Sequence, residues 1–229
     1  MLQELVDFVQ RDYFIFAYVF SLILSIIAYP KYFDTYLKYL PAILAYTLLN
    51  EILGYFIRYY PDFSFFPNIQ DTGFNDIIYN IYDLIFFPFF FYVYWNLVKD
   101  KKYKSWIRTA SILALLAYFI SCFFQNPTHT TLFYANAFAS WTLLFIIFLY
   151  FKDKQKSHLP VIQPYNLVVW VSLGLLVFHL VAPILFVVGY LNYQIWLDYG
   201  FRLILHILII VMHLSFCIGF FVSRKRAFG

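Results

Sequence analysis

The chain has 229 residues, 63% of them hydrophobic, 25% aromatic and 12% charged, with a formal net charge of +4. A charged fraction about half the usual value leaves too little polar surface to cover a globule in water, which excludes an ordinary soluble domain. The basic excess lies in alternate gaps between apolar stretches, so it reads as a topological signal and gives no footing for a nucleic-acid partner.

A helix needs about 20 mostly apolar residues to cross the hydrocarbon. Seven stretches meet that length, and they predict helices over about 13–29, 39–59, 77–98, 106–124, 131–151, 166–190 and 199–222. The start MLQELVDFVQRD is acidic and lacks the basic region and cleavage site of a secretory signal, so the first helix is expected to be retained. The second helix carries Asn50 and Glu51. The run from Tyr60 to Asp76 is punctuated by Pro61, Pro67 and Gly73 yet holds Phe63, Phe65, Phe66 and Phe74, and is expected to lie in the interface or over the outer mouth. The third helix carries Asn80 and Asp83, the fifth Asn136, the sixth His179, and the seventh Arg202, His206 and His213. Pro88 and Pro183 fall near the middles of the third and sixth helices, where a kink is expected. Trp95, Trp106, Trp170 and Trp196 sit near helix ends, as an interfacial belt requires.

Orientation follows from the cations. With the N-terminus outside, the inner segments hold Lys31, Lys38, Lys99, Lys101, Lys102, Lys104, Arg108, Lys152, Lys154, Lys156, Arg224, Lys225 and Arg226, thirteen of the sixteen Lys and Arg residues. The expected architecture is an all-α bundle of seven transmembrane helices forming one integral membrane domain over residues 1–229, with the N-terminus outside and the C-terminus cytoplasmic. The expected location is a bacterial inner membrane, as a multi-pass protein whose constant partner is the lipid bilayer. No connection is long enough for a soluble domain. Cys122 and Cys217 fall inside helices at different depths, which argues against a disulfide framework.

An ionisable side chain in hydrocarbon is costly and is expected to face the bundle interior. Arg202, His206 and His213 are separated by four and seven residues, so they share one face of the last helix. Thr47, Glu51, Tyr55 and Arg58 share a face of the second helix, as Asp76, Asn80 and Asp83 do on the third. The candidate ligand-binding set is therefore Asn50, Glu51, Asn80, Asp83, Asn136, His179, Arg202, His206 and His213. These are expected to converge on an outward-opening site, with Glu51 or Asp83 compensating Arg202. No helix holds a lysine between its ends, which excludes a retinal Schiff base. His206 and His213 lie about 10 Å apart along the axis, too far to share one zinc ion, and a haem reading rests on His179 and His213 alone. Neither a G-x-S-x-G element nor an H-E-x-x-H pair is present. No metal, cofactor or catalytic residue is assigned, and a non-enzymatic role is favoured.

The runs LLNEILGYFIR on the second helix and YNIYDLIFFPFFFYVYW on the third, within a bare bundle with short basic inner loops, resemble the small heptahelical proteins and sensor modules associated with bacterial histidine kinases. The resemblance implies detection of a signal from outside or within the membrane and its relay to a separate cytoplasmic protein, with the basic inner loops KDKKYK and KDKQKSH as the docking surface. The leading expectation is a receptor or sensor for a small apolar or amphiphilic ligand. Two alternatives stand beside it. One is a transporter using Glu51 and Asp83 as proton or ion carriers, and the other is an intramembrane lipid-modifying enzyme using an acid and a histidine.

Overall fold

A computed structural model describes residues 12–60, 76–156 and 164–224, apart from the side chains of Arg58 and Tyr59. The expectations for the N-terminal start, the phenylalanine-rich run 61–75, Arg58, and the basic residues 225 and 226 lie outside the described residues. Among the described residues the regular structure is helical: α1 (Ile15–Ile27), a 3-10 turn (Tyr29–Lys31), α2 (Leu40–Tyr59), α3 (Asp76–Leu97), α4 (Lys101–Ser121), α5 (Phe133–Lys156), α6 (Leu167–Leu191), α7 (Tyr193–Asp198) and α8 (Phe201–Val222). Each of the seven expected stretches holds a helix. Five of them, α2, α3, α5, α6 and α8, are long and apolar enough to cross a membrane, and the chain reads as a multi-pass membrane protein. The 13 residues of α1 span only about 20 Å at 1.5 Å each, and α4 opens on the polar run KKYKSWIR.

Local signals account for the helix ends. Asp100 caps α4 by accepting hydrogen bonds from the backbone N–H groups of Lys102 (2.8 Å) and Tyr103 (3.3 Å). Lys156 pairs with the same carboxyl and holds it below the usual carboxylate range. Asn192 caps α7 through the Gln194 N–H at 3.0 Å, and Gly200, at φ 61°, makes the left-handed turn into α8. Pro88 and Pro183 are carried inside continuous helices.

The described chain packs as two compact units. The first contains α1, α2 through Leu48, α6 through Phe178, and α8. Its core is Phe14, Ile15, Tyr18 and Ile209, with Val19, Leu48, Phe178, Leu205 and Ile210 against it. Contacts here fix helix direction. Phe14 meets His206, Tyr18 meets His213, and Tyr32 stacks on Phe220, so rising numbers match rising numbers and α1 runs parallel to α8. Lys31 Nζ donates to the carbonyls of Phe220 (3.0 Å) and Phe221 (3.3 Å), capping the negative end of α8. Against α6 the order reverses: Ser215 Oγ donates to the Trp170 carbonyl at 2.8 Å, Gly174 lies against Met212 and Phe216, and Gly219 against Trp170 and Leu167. α6 and α8 are antiparallel and closely approached at these two glycines.

The second unit contains the rest of α2 and α6 with α3, α4, α5 and α7. Thr131 Oγ1 donates to Asp76 (2.5 Å), Asn136 Nδ2 donates to Asp83 (2.7 Å), and Asp153 accepts from the Lys99 N–H (2.9 Å). The sequence offset stays at 55, 53 and 54 residues along these three bonds, so α3 and α5 are parallel and in register over their whole length. α4 runs against both, since Tyr118 reaches Asp83 near one end while Lys104 lies over Trp95 near the other.

A Cβ at position 174 would stand 2.8 Å from the Met212 carbonyl oxygen and 2.8 Å from Phe216 Cε1. Backbone cannot yield as a flexible side chain does. Gly174→Val is expected to separate α6 from α8 and lower stability by about 2 kcal/mol, measured as a fall in the thermal midpoint in mild detergent.

Candidate functional site

The nine candidate residues divide between the units. Arg202, His206 and His213 lie on α8 in the first, and Asn50, Glu51, Asn80, Asp83, Asn136 and His179 in the second.

In the first unit, the start of α8 presents Arg202 with its side chain 46% exposed. Its partner is Asp12, just ahead of α1, with Arg202 Nη2 donating to Asp12 Oδ1 at 3.3 Å. The partners expected from sequence were Glu51 or Asp83; the parallel pairing of α1 with α8 brings Asp12 to Arg202 instead. The contact is loose. Charge-assisted hydrogen bonds of this kind ordinarily close to about 2.7–2.9 Å and a guanidinium often grips a carboxylate with two donors, whereas this one uses a single donor. Asp12 Oδ2 is buried and has no partner among the described residues. One turn further along α8, the His206 ring packs on Phe14 (4.4 Å between centroids) and edge-on to Tyr13 (5.3 Å). The site thus combines an accessible guanidinium, a half-used carboxylate and an aromatic floor. Leu203 and Ile207, both exposed, flank it on the outward face of α8.

Deeper in the same unit, His213 is 1% exposed between Tyr18 and Phe216. Ser21 Oγ donates to the Tyr18 carbonyl at 2.9 Å and lies 2.7 Å from His213 Nδ1. A hydroxyl has one proton, so with that proton on the carbonyl, Nδ1–H donates to Ser21 and the lone pair sits on Nε2, which is buried with no partner among the described residues. His206 and His213 occupy separate aromatic settings, and among the described residues no three of His, Cys, Asp or Glu gather to hold a metal ion.

In the second unit the polar stripe of α3 is taken up by its neighbours. Asn80 Nδ2 donates to the carbonyls of Pro127 (2.7 Å) and Thr130 (3.0 Å), and its Oδ1 accepts from the Leu132 N–H (3.0 Å). One side chain thereby fastens the turn between α4 and α5. Asp83, buried, accepts from Tyr118 O–H (2.9 Å) and Asn136 Nδ2 (2.7 Å), joining three helices. Glu51 is half-buried and accepts from Tyr79 O–H at 3.4 Å. His179 is buried with Nδ1 3.0 Å from Ser140 Oγ, between the rings of Phe86 and Phe87. Asn50 is buried.

Three partners were not among the sequence candidates. Asp12 reads as a loop acid until the parallel α1–α8 pair is known. Tyr118 is one of 22 tyrosines, and nothing in its flanking aliphatics marks its hydroxyl as buried. Ser21 sits mid-helix with Ser25 four residues on, a small-polar spacing that marks a close helix contact. Compared with known proteins, the chain matches no family model, no curated protein and no solved structure.

Removing the Asp83 carboxylate strands two donors at once. Asp83→Ala is expected to cost about 1–3 kcal/mol, whereas Asn136→Ala, which leaves Tyr118 on Asp83, costs about 1 kcal/mol or less. Thermal unfolding of the two variants side by side checks the order, and equal midpoints contradict a three-helix junction at Asp83.

Proposed function

We propose that the protein is a bacterial inner-membrane receptor or sensor with seven crossings and its N-terminus outside, receiving the anionic head of a small amphiphile at Arg202 and signalling to a separate cytoplasmic protein. The observation that carries this reading is the loose Asp12–Arg202 pair on an exposed guanidinium. A phosphate or carboxylate offered by a ligand makes two short bonds to the guanidinium fork, where Asp12 makes one long one. The ligand therefore competes with Asp12 and displaces it. Its tail lies along Leu203 and Ile207, among the acyl chains.

The relay follows from α8. Its 22 residues extend about 33 Å, with Arg202 near one end and the Lys31 cap on Phe220 and Phe221 at the other. Freeing Asp12 loosens the start of α1 from α8, and the parallel pair carries that change to the Lys31 end as a shift between two existing packings. The count of seven is supported by helix direction. α3 and α5 are parallel, so the chain must return across the same thickness between them, and only α4 lies there. Similarly, α1 parallel to α8 is what an odd number of crossings gives. The resemblance to seven-helix sensor modules agrees with this reading.

The test uses dodecyl phosphate against dodecanol on the purified full chain, by thermal shift and titration. Dodecyl phosphate is expected to raise the midpoint and dodecanol to leave it unchanged. Arg202→Gln weakens binding at least about tenfold, because the charge and its two-donor fork are lost. Asp12→Asn strengthens it, because the competitor is gone. A purely structural ion pair predicts that neither variant changes ligand affinity, and that result, or weaker binding in Asp12→Asn, overturns the proposal.

A further inference from the structure

The second unit carries a charged corner built from the basic runs that the sequence offers as a docking surface for a cytoplasmic protein. At the meeting of α3, α4 and the end of α5, five lysines each lie over an aromatic ring: Lys102 over Trp106 (5.1 Å), Lys104 over Trp95 (5.0 Å), Lys152 over Phe148 (5.5 Å), Lys154 over Tyr150 (5.3 Å) and Lys156 over Tyr103 (5.8 Å). Trp95, Trp106 and Phe148 are themselves exposed.

The two acids of the corner are already engaged. Asp153, buried, accepts from the backbone N–H groups of Lys99 (2.9 Å) and Asp100 (3.0 Å). Asp100 spends one oxygen on the first N–H groups of α4 and the other on Lys156. All four carboxylate oxygens are thus engaged within the corner, and an anion arriving from outside meets ammonium groups. The Trp and Tyr rings fix the depth of their lysines, since they settle at the level of the lipid headgroups and the ammonium beside them reaches the phosphate plane.

We infer that this corner is a binding surface for anionic phospholipid headgroups, which it selects over zwitterionic ones in the leaflet it faces. The occupant is a lipid and not an acidic protein, because the lysines are interleaved with exposed apolar rings at the ends of membrane-length helices. At the ends of these helices the exposed rings lie at headgroup level, where a phospholipid presents its phosphate to the lysine and its glycerol and upper acyl chain to the ring. The inference stands independently of ligand binding at Arg202.

The full chain reconstituted in phosphatidylcholine vesicles, with brominated phosphatidylglycerol or brominated phosphatidylcholine at equal mole fraction, provides the test. The readout is quenching of the tryptophan emission that is lost in a Trp95→Phe, Trp106→Phe variant. Brominated phosphatidylglycerol is expected to quench more strongly at low salt, with an apparent preference of about fivefold for each lysine that meets a headgroup, shrinking as salt is raised. Changing Lys102, Lys104, Lys152 and Lys154 together to Gln removes the preference, and changing the same four to Arg keeps it. Equal quenching by the two lipids in the wild-type protein overturns the inference, as does a preference that survives the Gln changes or is indifferent to salt. Should the Gln variant fail to fold, the wild-type salt series decides alone.

Discussion

Hydrocarbon offers a polar side chain no water, so those inside the membrane must find partners within the protein, and the partnerships made between helices determine which helices lie side by side and in which direction they run. In the first unit His213 on Ser21, His206 on Phe14 and Lys31 on the end of α8 leave only a parallel arrangement of α1 and α8. In the second, Asp76 with Thr131, Asp83 with Asn136, and Asp153 with Lys99 lock α3 and α5 into one register. Apolar packing alone would tolerate a slide by one turn. A slide here would strand Asp83, Asn80 and Asp153 together.

The same constraint separates polar groups that hold the fold from groups free to act. Asn80 satisfies both donors and its acceptor on the backbone of one turn, and an arriving ligand would have to break those bonds before making its own. Arg202 is in the opposite condition, with one long bond among the described residues and an exposed head. Only the guanidinium side of this pair is exposed, and its single 3.3 Å contact falls short of the geometry of a good charge-assisted hydrogen bond. The strong contacts hold the architecture, and the weak one is where the proposed ligand site is placed.

The helices and their polar residues were legible in the sequence because a run of about 20 apolar residues has few alternatives and a charge within it is conspicuous. The faces were also legible: Asp76, Asn80 and Asp83 do share a side of α3, since they bind successive points along the α4–α5 turn and α5. Partner choice was not. Spacing places Arg202 and His206 on one face, but which helix that face meets depends on packing order, and periodicity within a helix carries no information about its neighbour. Asp12 went unrecognised for that reason, and Glu51 and Asp83 were favoured as counter-charges because they lie in predicted helices at suitable depth. Pro88 and Pro183 end neither helix, as neighbouring groups can satisfy the carbonyl that a proline leaves without its donor.

The account turns most directly on whether α4 crosses the membrane, because α3 and α5 can run parallel as two spans only if it does. With Cys122 and Cys217 replaced by serine and alanine, single cysteines at Asn126, Asn192, Lys101 and Gln155 can be labelled by an impermeant maleimide in sealed, right-side-out vesicles. The account predicts that Asn126→Cys and Asn192→Cys label at once, whereas Lys101→Cys and Gln155→Cys label only after the vesicles are opened. Labelling of positions 101 and 126 from the same side would contradict it.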